Sequence, residues 1–243
     1  MENIFNINKN SITSIVGAGG KTSLMFKLAK DFKSKNKVLV TTTTKIYKPQ
    51  KNQYDFIEFG NENFYKIKDL KEKGIYVYGL KLNELNKIIG VDPIECSTFI
   101  NYFDYIFVES DGSKEKPLKG FESFEPVVCN KSEKTIGIFD IKTIGMIIKE
   151  KNIHRIDKFL ELTKAKIKEK MTVDYASKLI LNKNDGLFKN AKGEKILYIN
   201  KVENNEDRLH VNRLRNALLK NDLKYIDSII CGSIKNNCFE KIY

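Results

Sequence analysis

The sequence predicts an α/β fold: a mostly parallel, twisted sheet flanked by helices, with a helical insertion in the second half. Three observations carry this expectation. The β-branched run at 12–16 stops at Gly17-Ala18-Gly19-Gly20, and a stretch with Leu24, Leu28 and Phe32 at every fourth position follows; the order is strand, glycine loop, helix. Short apolar runs recur at 38–40, 75–78, 105–108, 135–139, 196–199 and 228–231, with helical spacings between several of them, as a parallel sheet requires. A chain of 243 residues with 41% hydrophobic content fills one domain over residues 1–243, and no repeat or low-complexity linker divides it.

Taken in order, residues 4–7 and 11–16 read as a hairpin around 8–10, its second segment feeding the glycine loop. That loop suits a phosphate: Gly17, Gly19 and Gly20 let backbone N–H groups turn inward, and the following helix N-terminus adds free donors and partial positive charge. Lys21 is placed to reach the terminal phosphates, and Thr22, followed by Ser23, to put a hydroxyl on Mg²⁺. Ile15 stands where G-x-x-x-x-G-K-[ST] has its first glycine, so the loop opens at Gly17. The first helix is expected over about 22–34.

The strand at 38–40 ends in Thr41-Thr42-Thr43-Thr44-Lys45. Ligands of open α/β sheets bind beyond the carboxyl ends of strands, so the four hydroxyls are expected to face the loop's crevice, with Thr43 and Thr44 counted as nucleotide ligands. Residues 56–59 read as a short edge strand, 75–78 as a clearer one, and 80–89 as a short helix. The run at 105–108 delivers Glu109-Ser110-Asp111-Gly112. Four apolar residues followed by acids suit a strand that organises the Mg²⁺ shell and orients an attacking water. Lys21, Glu109 and Asp111 form the expected catalytic set, Asp111 joins Thr22 at the metal, and Gly112 approaches the γ-phosphate.

A charged loop follows over 114–129. The strand at 135–139 ends at Asp140, and 141–186 reads as mostly helical without a strand. A turn-rich link over 182–192 leads to the strand at 196–199, which delivers Asn200-Lys201-Val202-Glu203. GTPases carry N-K-x-D at this place in the order, its Asp accepting the guanine N–H groups; here Glu203 is one methylene longer, which leaves GTP and ATP both open. An amphipathic helix over 208–220 and a strand at 228–231 close the chain.

The formal net charge is +12, but the lysines are scattered and no nucleic-acid module is recognisable, so no nucleic-acid partner is expected. No apolar run is long enough for a bilayer, and the first residues lack the basic and apolar regions of a signal peptide. Cys96, Cys129, Cys231 and Cys238 form no C-x-x-C pair; they read as free thiols of a cytoplasmic protein.

G-A-G-G-K-T-S at 17–23, T-T-T-T-K at 41–45, E-S-D-G at 109–112, Lys119, Glu125-Pro126, His154-Arg155 and N-K-V-E at 200–203 together resemble the YqeC family of selenium-dependent hydroxylase accessory proteins. The resemblance spans nearly the whole chain. It departs at Ser110, where the family has Ala, at Phe124, where a His is common, and at Glu203, where Asp is usual. It implies a P-loop NTPase fold and a role in maturing molybdenum hydroxylases with labile selenium. The expectation is therefore a nucleotide-binding accessory protein, a Mg²⁺-dependent NTPase whose partners are a nucleoside triphosphate and a molybdenum hydroxylase or its cofactor. Two alternatives stand beside it: an NTP-dependent kinase or ligase acting on a small anionic or pterin-type acceptor near Lys119, His154 and Arg155, and a non-catalytic module that holds cofactor and hands it on.

Overall fold

The computed structural model describes residues 2–221 and 223–243. In chain order its helices and strands are α1 (Glu2–Phe5), β1 (Ser11–Gly17), α2 (Lys21–Phe32), β2 (Lys37–Thr42), β3 (Lys45–Tyr47), β4 (Phe56–Phe59), α3 (Tyr65–Lys68), β5 (Gly74–Gly79), β6 (Lys81–Leu82), β7 (Lys87–Ile89), β8 (Tyr105–Glu109), β9 (Leu118–Lys119), β10 (Ser132–Asp140), β11 (Ile153–His154), α4 (Ile156–Thr163), α5 (Val173–Leu181), β12 (Glu194–Asn200), α6 (Asn205–Lys220), β13 (Ser228–Ser233) and β14 (Cys238–Lys241). Among the described residues nine strands make the central sheet, in the order β14-β13-β12-β10-β1-β8-β2-β5-β4. Every pairing in it is parallel except β13 with β14.

The apolar runs become strands because both faces of the sheet are covered, which lets side chains be apolar at successive positions. Strand β1 is buried at all seven residues. On one face Ile15, Val40, Phe107 and Tyr198 pack against Leu24, Met25 and Leu28 of α2. On the other, Leu197 and Ile199 meet α5 and α6 through Ile180, Val211 and Leu214, while Leu39, Tyr76 and Ile106 pack with Phe99 and Phe103. From β1 the chain builds β2 and β8 on one side, then crosses to β10, β12 and β13 on the other. The order reverses at β1, and the crevice at such a switch point is where α/β sheets bind ligands.

The structure corrects several expectations. Residues 4–7 are not a hairpin arm: the segment begins as α1, and Phe5 packs edge-on to Tyr198 at 5.7 Å. Residues 80–89 are not a helix but the β6–β7 hairpin, which joins β3 in a small second sheet. Asn83 accounts for this, since its side-chain carbonyl accepts from the N–H of Leu85 and of Lys87 and so holds a turn, the competition that keeps Asn out of helices. The 141–186 stretch holds α4 and α5 but also β11, which pairs in parallel with β9. Cys96 and Cys129 are not free thiols. Tertiary folding brings their Cα atoms to 6.3 Å and they form a disulfide across 33 residues, a pairing no local spacing could reveal. Cys231 and Cys238 are unbonded. Among the described residues, no helix is long and apolar enough to cross a membrane.

Candidate functional site

Gly17 ends β1 with φ 95°, and a Cβ there would stand 2.4 Å from the Ile138 carbonyl oxygen. Glycine is thus demanded twice, by the left-handed backbone and by the close approach of β10. Gly19 (φ 88°) and Gly20 (φ 135°) continue the turn, and Gly20 caps α2 without a side-chain acceptor. The first turn of α2 carries no acid. Its free N–H groups and positive dipole end therefore have no anion of their own.

Lys21 is 4% exposed. Its Nζ folds back to donate to the Gly17 carbonyl at 2.7 Å and lies 3.2 Å from Asp111 and 3.7 Å from Glu109. Burial opposes its charge, but Asp111 and then Glu109 outweigh burial and raise its pKa. Thr22 Oγ1 donates to Glu109 Oε2 at 2.6 Å. The acid against the threonine is thus Glu109 rather than Asp111. Burial lifts the Glu109 pKa despite Lys21 and Thr22.

Asp111 turns the other way. Its Oδ2 accepts from the Gly17 N–H at 3.0 Å and from Lys119 Nζ at 3.1 Å. Burial works against its charge, but Lys119 and Lys21 prevail and hold its carboxyl below the usual range. Lys119 is 1% exposed; it also donates to the Gly112 carbonyl at 2.7 Å and to Glu125 at 3.1 Å. Glu125 in turn accepts from Arg155 at 3.0 Å. A buried chain of alternating charges thus runs from the phosphate loop through Asp111, Lys119 and Glu125 to Arg155. The β9–β11 pairing, which sets Lys119 beside His154, holds its far end.

The threonine run divides. Thr41 and Thr42 are fully buried and donate to the backbone carbonyls of Tyr78 and Glu109, which corrects the expectation that all four hydroxyls face the crevice. Alternation along β2 and the need to satisfy buried hydroxyls explain it. Thr43 and Thr44 reach the cleft, although Thr43 donates to the Val127 carbonyl at 2.6 Å.

On the opposite flank Asn200 donates to the Gly19 carbonyl at 2.8 Å and so buttresses the glycine loop. Lys201, with φ 65°, pairs with Asp140 at 2.5 Å. Glu203 is exposed, outside the cleft lining, and accepts from Ser233 at 3.3 Å.

Most of the expected site residues border one cleft of about 1210 Å³, whereas Gly17, Asp111, Asn200 and Glu203 are not in its lining. Gly19, Gly20, Lys21, Thr22, Ser23, Thr43, Thr44, Glu109, Gly112 and Lys201 all line it. So do Lys45, Tyr47, Lys87, Lys114 and Phe124, which sequence reasoning did not assign. Tyr47 and Lys87 left no signal because the hairpin that carries Lys87 reads locally as a helix. Lys114 and Glu115 left none either: both have positive φ, 49° and 61°, a backbone feature that only the structure shows. Among the described residues no cluster of three or more His, Cys, Asp or Glu side chains could hold a metal by itself. Mg²⁺ rarely asks for one, since it keeps waters and takes one or two carboxylates plus phosphate oxygens. The Thr22 hydroxyl and Glu109 carboxylate are hard oxygen donors that fit it.

The YqeC protein family model matches residues 13–157. The chain belongs to the YqeC family. It is 26% identical over 233 residues to the uncharacterized protein YqeC of Escherichia coli (strain K12), covering 93% of this chain and 89% of that one. No solved structure matches the chain.

Proposed function

We propose that this YqeC-family protein binds a nucleoside triphosphate with Mg²⁺ at the Gly17–Thr22 loop, hydrolyses it, and uses the cycle to assist maturation of a selenium-dependent molybdenum hydroxylase. The observation that carries the nucleotide reading is the convergence of Lys21, Thr22 and Glu109 at the N-terminus of α2, whose own first turn contains no acid, at the sheet's switch point. Thr22 and Glu109 would hold the ion, which when bound would offset phosphate charge. Lys21, released from Gly17 and Asp111, would meet the terminal phosphate. Asp111 holds the loop's first N–H and Lys119 together, so loading the loop shifts the acidic turn and, through Lys119 and Glu125, the 114–129 segment. That segment is the surface whose affinity for a client or cofactor would change, as switch loops do when a γ-phosphate is lost. The accessory role rests on family resemblance. The reading as a kinase or ligase draws support from one feature, a cleft that extends well beyond the phosphate loop.

The binding test is a melting screen with ATP and GTP, each with and without Mg²⁺. A ligand at about 100 times its dissociation constant stabilises by about 2.7 kcal/mol, a shift of roughly 5–10 °C for a chain of this size. Lys21→Ala should lose most of it, and absence of any shift in the wild type refutes the nucleotide reading. The biological test is deletion of the gene in a host making a selenium-dependent hydroxylase: the client should accumulate without activity, and unchanged client activity removes the accessory role.

A further inference from the structure

We propose that the cleft holds a second subsite, beside the phosphate loop, that binds a small ligand made of a flat aromatic ring bearing a phosphate or similar anion. This deepens the nucleotide reading by naming the class of the second substrate or cargo.

Size is the first argument. Single small-molecule sites occupy roughly 300–1,000 Å³, and this cleft of about 1210 Å³ exceeds them. Its course is the second. The lining runs across the carboxyl ends from β12, at Lys201, to β2, at Thr43 and Thr44, and on to Lys45, Tyr47 and Lys87 of the small sheet. From β12 to β2 is four strand spacings, about 19 Å, with the glycine loop midway. A nucleotide whose base points toward Lys201 and Asn200 leaves the β2 side open.

The chemistry of that open side is the third argument. Among the described residues, the cleft lining carries seven Lys or Arg side chains and three carboxylates. Lys45 and Lys114 have no ion pair among the described residues. Two cation–aromatic pairs border this side. Lys87 Nζ sits 4.3 Å from the Tyr47 ring centre, and the Arg155 guanidinium 5.4 Å from that of Phe124. Tyr47 is 51% and Phe124 63% exposed, so each ring keeps free surface beside its cation. Each pair sets an aromatic surface beside a cation, and a ligand with a flat ring and an anionic group matches both. Burial first, then Lys119, Lys114 and Lys116, push the His154 imidazole down to about 4, so the cations of this wall add to the effect of burial.

The test uses 1-naphthyl phosphate as the fluorescent probe, titrated into full-length protein already saturated with AMPPNP and Mg²⁺. Parallel titrations use 1-naphthol, which lacks the anion, and inorganic phosphate, which lacks the ring. Saturable binding of 1-naphthyl phosphate is expected at saturating AMPPNP, with each control at least about tenfold weaker, the scale of one charge-assisted hydrogen bond. Lys87→Glu and Tyr47→Ala, each shown to melt as the wild type does, should each weaken it by a comparable factor. Displacement of the probe by AMPPNP, equal binding of 1-naphthol, or no saturation below about 1 mM overturns the proposal. If AMPPNP itself fails to bind while the probe keeps its dependence on Lys87 and on the phosphate, the nucleotide reading falls and the subsite stands.

Discussion

Lys119→Met tests whether the buried charge chain holds the site together. Met keeps an unbranched stem of similar length, so packing changes little and the charge is what is lost. Lys119 is 1% exposed and serves Asp111 at 3.1 Å, Glu125 at 3.1 Å and the Gly112 carbonyl at 2.7 Å. Removing one member of a buried ion pair typically costs about 3–5 kcal/mol, because the partner stays buried and uncompensated. Here neither partner is abandoned. Asp111 keeps the Gly17 N–H and Lys21, and Glu125 keeps Arg155. The lower end, about 3 kcal/mol, is therefore expected, equivalent to a fall of about 6–12 °C in melting temperature.

The pH dependence separates this account from a packing defect. Without Lys119, the forces that hold Asp111 below the usual carboxylate range weaken, since Lys119 is the larger of its two counter-charges. Its folded pKa then rises, so the variant binds a proton more readily when folded. A group raised in this way stabilises only when protonated, and the deficit relative to wild type should be largest near neutrality and shrink as pH falls through the carboxylate range. Urea unfolding of both proteins at several pH values measures it. The double variant with Asp111→Asn should be less destabilised than the sum of the single changes, by about 1–3 kcal/mol. A neutral-pH deficit below about 1 kcal/mol, or one that does not vary with pH, would show that Lys119 does not neutralise Asp111 and would break the proposed link between the phosphate loop and the 114–129 segment.

Glu109→Gln keeps an acceptor for Thr22 but removes the charge; the extra nucleotide-induced melting shift produced by Mg²⁺ should vanish while the shift in chelator remains, and an unchanged Mg²⁺ increment excludes Glu109 from the ion. His154, one of two histidines, should titrate near 4 by NMR against an ordinary value of 6.5, held down by burial first and then by Lys119, Lys114 and Lys116 against the opposing pull of Asp111; its neutral form is favoured in the fold, so its contribution to stability is present above 6.5 and is lost as pH falls toward about 4, and His154→Gln should flatten that part of the curve. If Glu203 reads the base, GTP should outbind ATP by roughly ten- to a hundredfold, the worth of a hydrogen bond to a charged group, and Glu203→Ala should erase the difference; equal affinities in the wild type refute base reading there.

The contrast between what was legible and what was not follows from the range of the interactions. The Gly17–Thr22 loop, the Glu109–Gly112 turn and the parallel strands were readable because each is decided within a few residues: glycine at positive φ, an apolar strand, acids at its end. Asn200 was readable as a site residue but not as the group that holds the Gly19 carbonyl, since that contact spans 181 residues. The division of labour between Glu109 and Asp111 was hidden for a related reason. They sit two apart, and only the sheet decides which faces Thr22: in the parallel pairing of β1 with β8, Glu109 lies opposite Ile15, still within the strand, whereas Asp111 lies beyond it and reaches back to Gly17.

The wall formed by Lys45, Tyr47 and Lys87 was illegible for a more instructive reason. Residues 80–89 carry apolar spacing that fits a helix, and only the Asn83 side chain, by holding its turn, tips them into a hairpin. Once that hairpin forms, its register with β3 sets Tyr47 opposite Lys87, and β3 follows directly from the threonine-bearing end of β2. The same strand end thus serves two purposes. Thr41 and Thr42 spend their hydroxyls on neighbouring backbone and fix the end rigidly, while Thr43, Thr44 and Lys45 carry it into the cleft. A glycine loop alone would need no such extension. A basic and aromatic wall built on a braced strand end, sharing one cleft lining with Lys114, Phe124 and Arg155, is what the proposed binding of a phosphate-bearing ring beside a triphosphate would require.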